Sequence, residues 1–323
     1  METTQTGRDD MMDELVRLTA RLERQPSRSM GVHPDRSTAE GVSRGRHEDG
    51  MDDTSIRIYQ CIGEKADAAA LDEGVIALRV RAGNDLDRHH SICLDLEAEL
   101  QSGSVQKWGV LSGQLPGRTG LGVPAIRSIV QQRRGYDAYV IHSDPAPECL
   151  SENPWLDGEH ETGGFLKLIS KLSDPLGIDL GDLQALHPRN SFLYGNDAIG
   201  TAKFWRMYNG FVTRTHRELM AVLGLDHLSP DQWPPSMRHP EAAGLVAACQ
   251  KRLVSFFMSG PGKGLKVLKI NPVHRESPEQ EWLDIAAYLR GRHMSEMSRS
   301  TKKHWLKVRD FCRSQQMGVP EEK

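Results

Sequence analysis

The sequence predicts an α/β domain that follows a polar tail and is extended by helices at its C-terminal end. Two observations carry this. Residues 107–142 read as strand, Gly-rich turn, helix and strand, the pattern of an α/β unit. Residues 1–54 contain no Phe, Trp or Tyr and are rich in Arg, Asp, Glu, Ser, Gly and Thr. Such a segment buries too little apolar surface to offset the entropy of ordering, and it is expected to be disordered. The organisation expected is therefore a tail over 1–54, an α/β domain over 55–295 and a helical extension over 296–323.

Each element follows from local pattern. Within the tail, Met12, Leu15, Val16, Leu18 and Leu22 have the spacing of one short amphipathic helix, a candidate contact for a protein partner or for the protein's own body. Residues 55–60 alternate apolar and polar side chains as a first strand does. Residues 66–71 read as a helical patch, 74–80 as a strand or extended segment, and 85–90 as a polar loop in which His89 and His90 form a solvated turn. Residues 92–100 read as helix. The strand at 107–112 leads into a loop over 113–122 with four glycines. A helix over 123–134 has Val123, Ile126, Ile129 and Val130 on one stripe, and a strand over 136–142 empties into the Pro-rich loop 143–148.

Beyond this unit, 151–159 reads as loop, 165–172 as a helix stopped by Pro175 and Gly177, and 178–186 as a short helix or turn. Residues 191–194 read as a compact strand followed by a loop over 195–200. Thr201 is placed to cap the longest helix, whose buried stripe holds Phe204, Tyr208, Phe211, Val212, Thr215 and Leu219. A Pro-rich connection over 229–240 precedes a second long helix over 241–258. After a turn at 259–264 comes an edge strand over 265–270 with its lysines, then helices over 282–289 and 305–312.

Bulk properties narrow the function classes. A net charge of −3 offers no electrostatic drive toward nucleic acid, and no apolar run is long enough to cross a bilayer. The five cysteines are scattered without CxxC spacing, which argues against a disulfide framework or zinc site and for a reducing, cytoplasmic compartment. In open α/β sheets ligands sit at the carboxyl ends of strands. Here those ends carry Ser112, Arg118 and Thr119 on one side and His142 and Asp144 on the other.

Four segments, taken in order, resemble bacterial polysaccharide-biosynthesis glycosyltransferases with a nucleotide-sugar-binding, GT-A-like fold. They are Ile56-Arg-Ile-Tyr-Gln60 with Ala69-Ala-Leu-Asp72, Trp108-Gly-Val-Leu-Ser112 with Arg118-Thr-Gly120, Gly135-Tyr-Asp-Ala-Tyr139 continuing to Asn153-Pro-Trp155 and Gly158-Glu159, and Tyr194-Gly-Asn196 with Phe204-Trp205 and Tyr208. They span roughly residues 55–258, and their order and spacing carry the match rather than any one of them. The resemblance implies a mixed sheet with flanking helices and transfer of a sugar from a nucleotide sugar to a saccharide or related acceptor. The chain departs from the family at Gln114 and Leu115, where a basic residue and an aromatic are usual, and at Lys251, which stands where the family shows Glu before Arg-Leu. The alternative is therefore a catalytically impaired relative acting as a binding or scaffold protein.

Sugar transfer of this kind requires neutralisation of the leaving diphosphate, a positioned acceptor hydroxyl with a base, and a nucleotide pocket at a strand end. The resemblance implies Mn²⁺ or Mg²⁺ held by a carboxylate on a loop after a strand. Asp144 is the best placed metal ligand, and it is also a catalytic candidate, although Ser-Asp-Pro is equally ordinary turn chemistry. Asp197 is the rival for metal or base. Ser112, Arg118, Thr119 and Gly120 are expected to bind the nucleotide sugar, Arg118 meeting phosphate with backbone N–H groups of its loop assisting; Asp137 is expected to flank them or bond a neighbouring turn, and Asn153, Trp155 and Asn196 to shape the sugar or acceptor site. Arg252 is expected to pair with a carboxylate beneath the site.

Overall fold

The computed structural model of the 323-residue chain describes residues 55–63, 71–72, 74–80, 85–100, 105–142, 146–224, 240–272, 278–297 and 299–315. The expected tail with its short helix, the helical patch at 66–70 and most of the Pro-rich connection at 229–240 lie outside the described residues. The architecture is α/β, a six-stranded mixed sheet with flanking helices. Among the described residues no helix is long and apolar enough to cross a membrane.

The strands are β1 (Ile56–Gly63), β2 (Val75–Val80), β3 (Lys107–Ser112), β4 (Ala138–Ile141), β5 (Ala198–Thr201) and β6 (Val267–Ile270). Their order across the sheet is β2-β1-β3-β5-β4-β6. All run parallel except β5, which pairs antiparallel with both β3 and β4. The last strand, β6, lies at an edge, as its lysines predict. Side chains alternate between two buried faces with the period of a strand. Ile58, Leu111, Tyr139, Ile141 and Ile199 pack on one face; Tyr59, Trp108, Val110, Ala138, Val140 and Ala198 pack on the other.

The helices are α1 (Asp85–Leu100), α2 (Leu115–Thr119), α3 (Val123–Gln132), α4 (Ala146–Leu150), α5 (Pro154–Glu161), α6 (Phe165–Leu176), α7 (Ala202–Val222), α8 (Pro240–Lys251), α9 (Leu253–Ser259), α10 (Pro278–Glu296) and α11 (Arg299–Ser314). The expected stripe of α3 covers the first face through Val123, Ile126 and Val130. The second face is covered by α1, α6, α7 and α9. Thr201 caps α7 as expected, its side chain accepting from the Phe204 N–H at 3.3 Å. On α7, Trp205 stacks on Trp108 of β3 at 4.4 Å, and its Nε1–H donates to the Trp108 carbonyl at 2.8 Å. β5 lies close against β3, where a Cβ on Gly109 would stand 2.2 Å from the Ala198 carbonyl oxygen.

Several expectations about local structure are corrected. The polar stretch 85–90 is the first turn and a half of α1, not a loop. The Gly-rich segment 113–122 contains α2, and the loops expected at 143–148 and 151–159 contain α4 and α5. Residues 191–194 do not form a strand, because the Ser255 hydroxyl takes both backbone groups of Leu193: it accepts from the N–H at 2.8 Å and donates to the carbonyl at 3.0 Å. The strand is instead Ala198–Thr201. The long helix expected over 241–258 breaks at Arg252, whose Nη1 donates to the Ala248 carbonyl at 3.0 Å while its N–H turns to Cys249. The side chain thus takes the carbonyl that a regular helix would offer to the main chain.

Candidate functional site

The antiparallel direction of β5 decides the geometry. Because β5 runs against its neighbours, the residues that precede it arrive at the carboxyl ends of β3 and β4. The Asp197 carbonyl accepts from the Ile141 N–H at 2.9 Å, which fixes the loop against β4. Its carboxylate turns to β3, where Oδ1 accepts from the Ser112 N–H at 2.5 Å and Oδ2 accepts from Arg118 Nη2 at 2.9 Å. Ser112, Arg118 and Asp197, expected separately from the sequence, therefore form one cluster where three strands meet.

The turn between them is tightly specified. A Cβ on Gly113 would come within 2.6 Å of the Cys61 carbonyl of β1, so the chain can turn there only without a side chain. The Ser112 hydroxyl accepts from the Gln114 N–H at 3.2 Å. Thr119 is buried, donates to the Leu115 carbonyl at 2.8 Å and accepts from the Leu121 N–H at 3.2 Å. Gly120 closes α2 with φ 71°. Thr119 and Gly120 hold the loop in shape, with the Thr119 hydroxyl engaged on both sides.

The charges in the cluster are unequal in access. The Asp197 side chain is 4% exposed and that of Arg118 is 42% exposed. Burial raises the Asp197 carboxyl above its ordinary range, against the pull of the Ser112 N–H and the Arg118 guanidinium. Both carboxylate oxygens are engaged, so Asp197 acts here by positioning Arg118, and Arg118 is the group that reaches solvent. An anion approaching this edge meets a guanidinium held from behind by a buried carboxylate.

Two buried networks lie nearby. Arg252 is fully buried and donates to the Pro154 carbonyl at 3.0 Å, to Glu161 at 2.6 Å and to Asp157 through a very short contact. Asp157 also accepts from the Ser151 hydroxyl and the Tyr194 hydroxyl, each at 2.9 Å. Burial works against the Arg252 charge, but Tyr194, Asp157 and Glu161 outweigh it and raise its pKa. The expected carboxylate partner of Arg252 is thus found, twice over. The second network centres on buried Glu148, which pairs with Arg189 and Lys269. His142 stands 3.6 Å from it at the end of β4, with burial and then the charges of Lys269, Arg189 and Lys251 holding its pKa well below the ordinary value.

The remaining expected residues separate. Asp137 lies at the amino end of β4, the opposite edge of the sheet from Asp197, and accepts from the Lys266 N–H at 2.8 Å. It serves a neighbouring turn and does not flank the Arg118 cluster. Asn153 is buried and fully used: its Oδ1 caps α5 by accepting from Leu156 N–H, and its Nδ2 donates to the Leu183 and Ala185 carbonyls. Trp155 is 0% exposed and packs on Phe256 at 4.5 Å, so it offers no face to a sugar ring. Asp144 lies outside the described residues, and among the described residues no group of three or more His, Cys, Asp or Glu could hold a metal ion.

Asn196 leads to a feature that sequence reasoning missed. It lines a pocket of about 320 Å³ between α1, α7 and the α8–α9 junction, together with His89, Tyr208 and Asn209. Tyr208 donates to Asn196 Oδ1 at 3.4 Å. His89, read from sequence as part of a solvated turn, faces this space because 85–90 is helical. The available signal was the i, i+4 and i, i+7 spacing of His89, Cys93 and Leu96, which continues the apolar face of α1 backwards. Comparison with family models, with curated proteins and with solved structures finds no match, and the functional reading rests on this geometry.

Proposed function

We propose that the chain is a cytoplasmic GT-A-like glycosyltransferase that moves a sugar from a nucleotide sugar to a saccharide or related acceptor in bacterial polysaccharide biosynthesis. The observation that carries this reading is the Ser112–Arg118–Asp197 cluster at the carboxyl edge of a mixed α/β sheet. In such a transfer the acceptor oxygen bonds to the anomeric carbon while the bond from that carbon to the diphosphate breaks. The electron pair leaves with the nucleoside diphosphate, and the acceptor proton passes to a base or to water. Arg118 is the cation available to the departing charge, and Asp197 keeps it oriented. Mn²⁺ or Mg²⁺ would add Lewis-acid neutralisation of the diphosphate; the described carboxylates do not assemble a site for it, and no step is routed through it.

The test is a calorimetric titration against UDP, GDP, CMP and dTDP, each with and without Mn²⁺. One nucleotide should bind, and Arg118→Ala should weaken it about 10- to 100-fold, the worth of a lost charge-assisted hydrogen bond. Equal affinity for the variant removes Arg118 from the site. A second reading is favoured by Lys251, which bonds Glu161 at 3.3 Å where the resembled family has a carboxylate, and by the engagement of both Asp197 oxygens. On that reading the chain is a catalytically impaired relative that binds or scaffolds. Slow hydrolysis of a nucleotide sugar without acceptor separates the two, since the impaired relative shows none.

A further inference from the structure

The device built from Arg118 and Asp197 recurs on the same edge of the sheet. At the carboxyl ends of β4 and β6, where ligands of open α/β sheets sit, Glu148 of α4 holds Arg189 from behind. Nε and Nη2 of Arg189 both donate to Glu148 Oε1, Nε at 3.1 Å. The Arg189 side chain nevertheless stays 50% exposed, while that of Glu148 is 3% exposed.

Two more charges fix the same short turn, Arg189–Ser191. Lys269 of β6, its side chain 10% exposed, donates to Glu148 Oε2 and also to the Arg189 carbonyl, the latter at 3.2 Å. Arg290 of α10 is fully buried, donates to the His187 carbonyl just before the turn and lies over the Phe192 ring just after it at 5.2 Å. Its Nε and Nη2 also donate to the Ser151 and Glu152 carbonyls at 2.9 and 3.0 Å, which ties the turn to the chain leaving α4. Burying a charge is costly, and here three largely buried charged side chains converge on the placement of one half-exposed guanidinium. Glu148 contacts two basic side chains, so with both protonated the trio bears a net positive charge; Asp284 of α10 adds a weaker pull on Arg189. His142 senses that charge: after burial, Lys269 and Arg189 are the chief causes of its lowered pKa.

We propose that Arg189 is the ligand-facing group of a second anion site, which binds the phosphate dianion of a small molecule through Nη1 on the exposed side of its guanidinium. A planar fork pinned along one edge to a carboxylate presents its remaining donors to phosphate oxygens in a fixed direction, as a lysine on a flexible stem does not. The site stands independently of the transferase reading, since it requires neither Arg118 nor a nucleotide.

The probes are inorganic phosphate and glycerol 3-phosphate, titrated calorimetrically into the full chain carrying Arg118→Ala, so that the first cluster contributes nothing. Sodium chloride at equal ionic strength is the control. Phosphate binds this chain with a Kd below about 10 mM, and the tighter of the two probes tells a free anion from an ester. Adding Arg189→Gln weakens binding by about tenfold or more, the loss expected of a charge-assisted hydrogen bond. Glu148 keeps Lys269 as its partner in that variant, so the melting temperature holds. A measurement on the wild-type chain needs no substitution: modification by phenylglyoxal, followed peptide by peptide by mass spectrometry. Phosphate at about ten times its Kd slows reaction at Arg189 about tenfold. The proposal is overturned if the Arg118→Ala chain binds no phosphate up to about 10 mM, or if Arg189→Gln leaves its affinity unchanged. It is equally overturned if Arg189 is modified at one rate with and without phosphate, or if sodium chloride gives the same protection.

Discussion

Replacing Arg252 with Met tests whether the break between α8 and α9 is held by charge. The guanidinium is 0% exposed and serves two carbonyls and two carboxylates, those of Pro154, Ala248, Asp157 and Glu161. It also lies over the rings of Tyr194 at 5.1 Å and Phe165 at 5.5 Å. Methionine fills much of the same volume but leaves Asp157, only 15% exposed, with the Ser151 and Tyr194 hydroxyls as its remaining donors. Removing one partner of a buried ion pair costs about 3–5 kcal/mol, because the other charge stays behind without compensation. For a domain of this size about 1 kcal/mol moves Tm by roughly 2–4 °C, so Arg252→Met should lower Tm by roughly 6–20 °C. Glu161 is 42% exposed, and Glu161→Gln should cost no more than about 1 kcal/mol. The assay is thermal and urea unfolding of wild type and both variants at one pH and protein concentration. A loss below about 1 kcal/mol for Arg252→Met would show that packing alone holds the junction, and the argument from charge would fall.

Three further outcomes follow from the same geometry. Gly109→Ala should cost about 3 kcal/mol or more, or prevent soluble expression, because its Cβ would meet the Ala198 carbonyl at 2.2 Å and push β5 from β3; urea midpoints near wild type would contradict this. Stability should fall as pH drops from about 6.5 toward 4: the folded pKa of His89 lies below its unfolded value, so the unfolded state takes the proton first and the contribution is intact only above the unfolded pKa. The fall from 6.5 to about 4 corresponds to about 3 kcal/mol at full protonation, His142 adds in the same direction, and His89→Phe should flatten the profile; an unchanged slope in the variant would refute the assignment. Trp205→Phe removes the indole bond to the Trp108 carbonyl and part of a stacked pair, and it should cost about 2 kcal/mol in urea unfolding; a change below about 0.5 kcal/mol would mean the α7 contact is not set by this ring.

The strands and long helices were legible because burial writes a period into the chain. β3 and β4 are apolar runs buried on both faces, and α3 and α7 carry their stripes at helical spacing. What escaped was short structure made by capping. α5 contains Gly158 and starts at a proline, so its composition reads as loop. Yet Asn153-Pro154 is an N-cap followed by proline at the first helical position, a start signal that composition hides. Residues 191–194 show the converse failure. Phe192, Leu193 and Tyr194 are as apolar and buried as a strand, but one hydroxyl from Ser255 satisfies Leu193 and leaves no ladder to join.

The candidate site follows the same division. Residue type identified Ser112, Arg118 and Asp197 as suited to a polar edge, but only the direction of β5 brings Asp197 to the other two. Reading 191–194 as the strand would place Asn196 and Asp197 after a strand end; in fact they precede β5, and the antiparallel turn delivers them to the same edge by another route. Asp137 fails for the complementary reason. It is close in sequence to the β4 end, but a strand separates its two ends in space, and Asp137 sits at the far one. A carboxylate's reach is therefore set by strand direction before its chemistry matters, and Asp197 and Asp137, each adjoining a strand, take opposite roles on that ground alone.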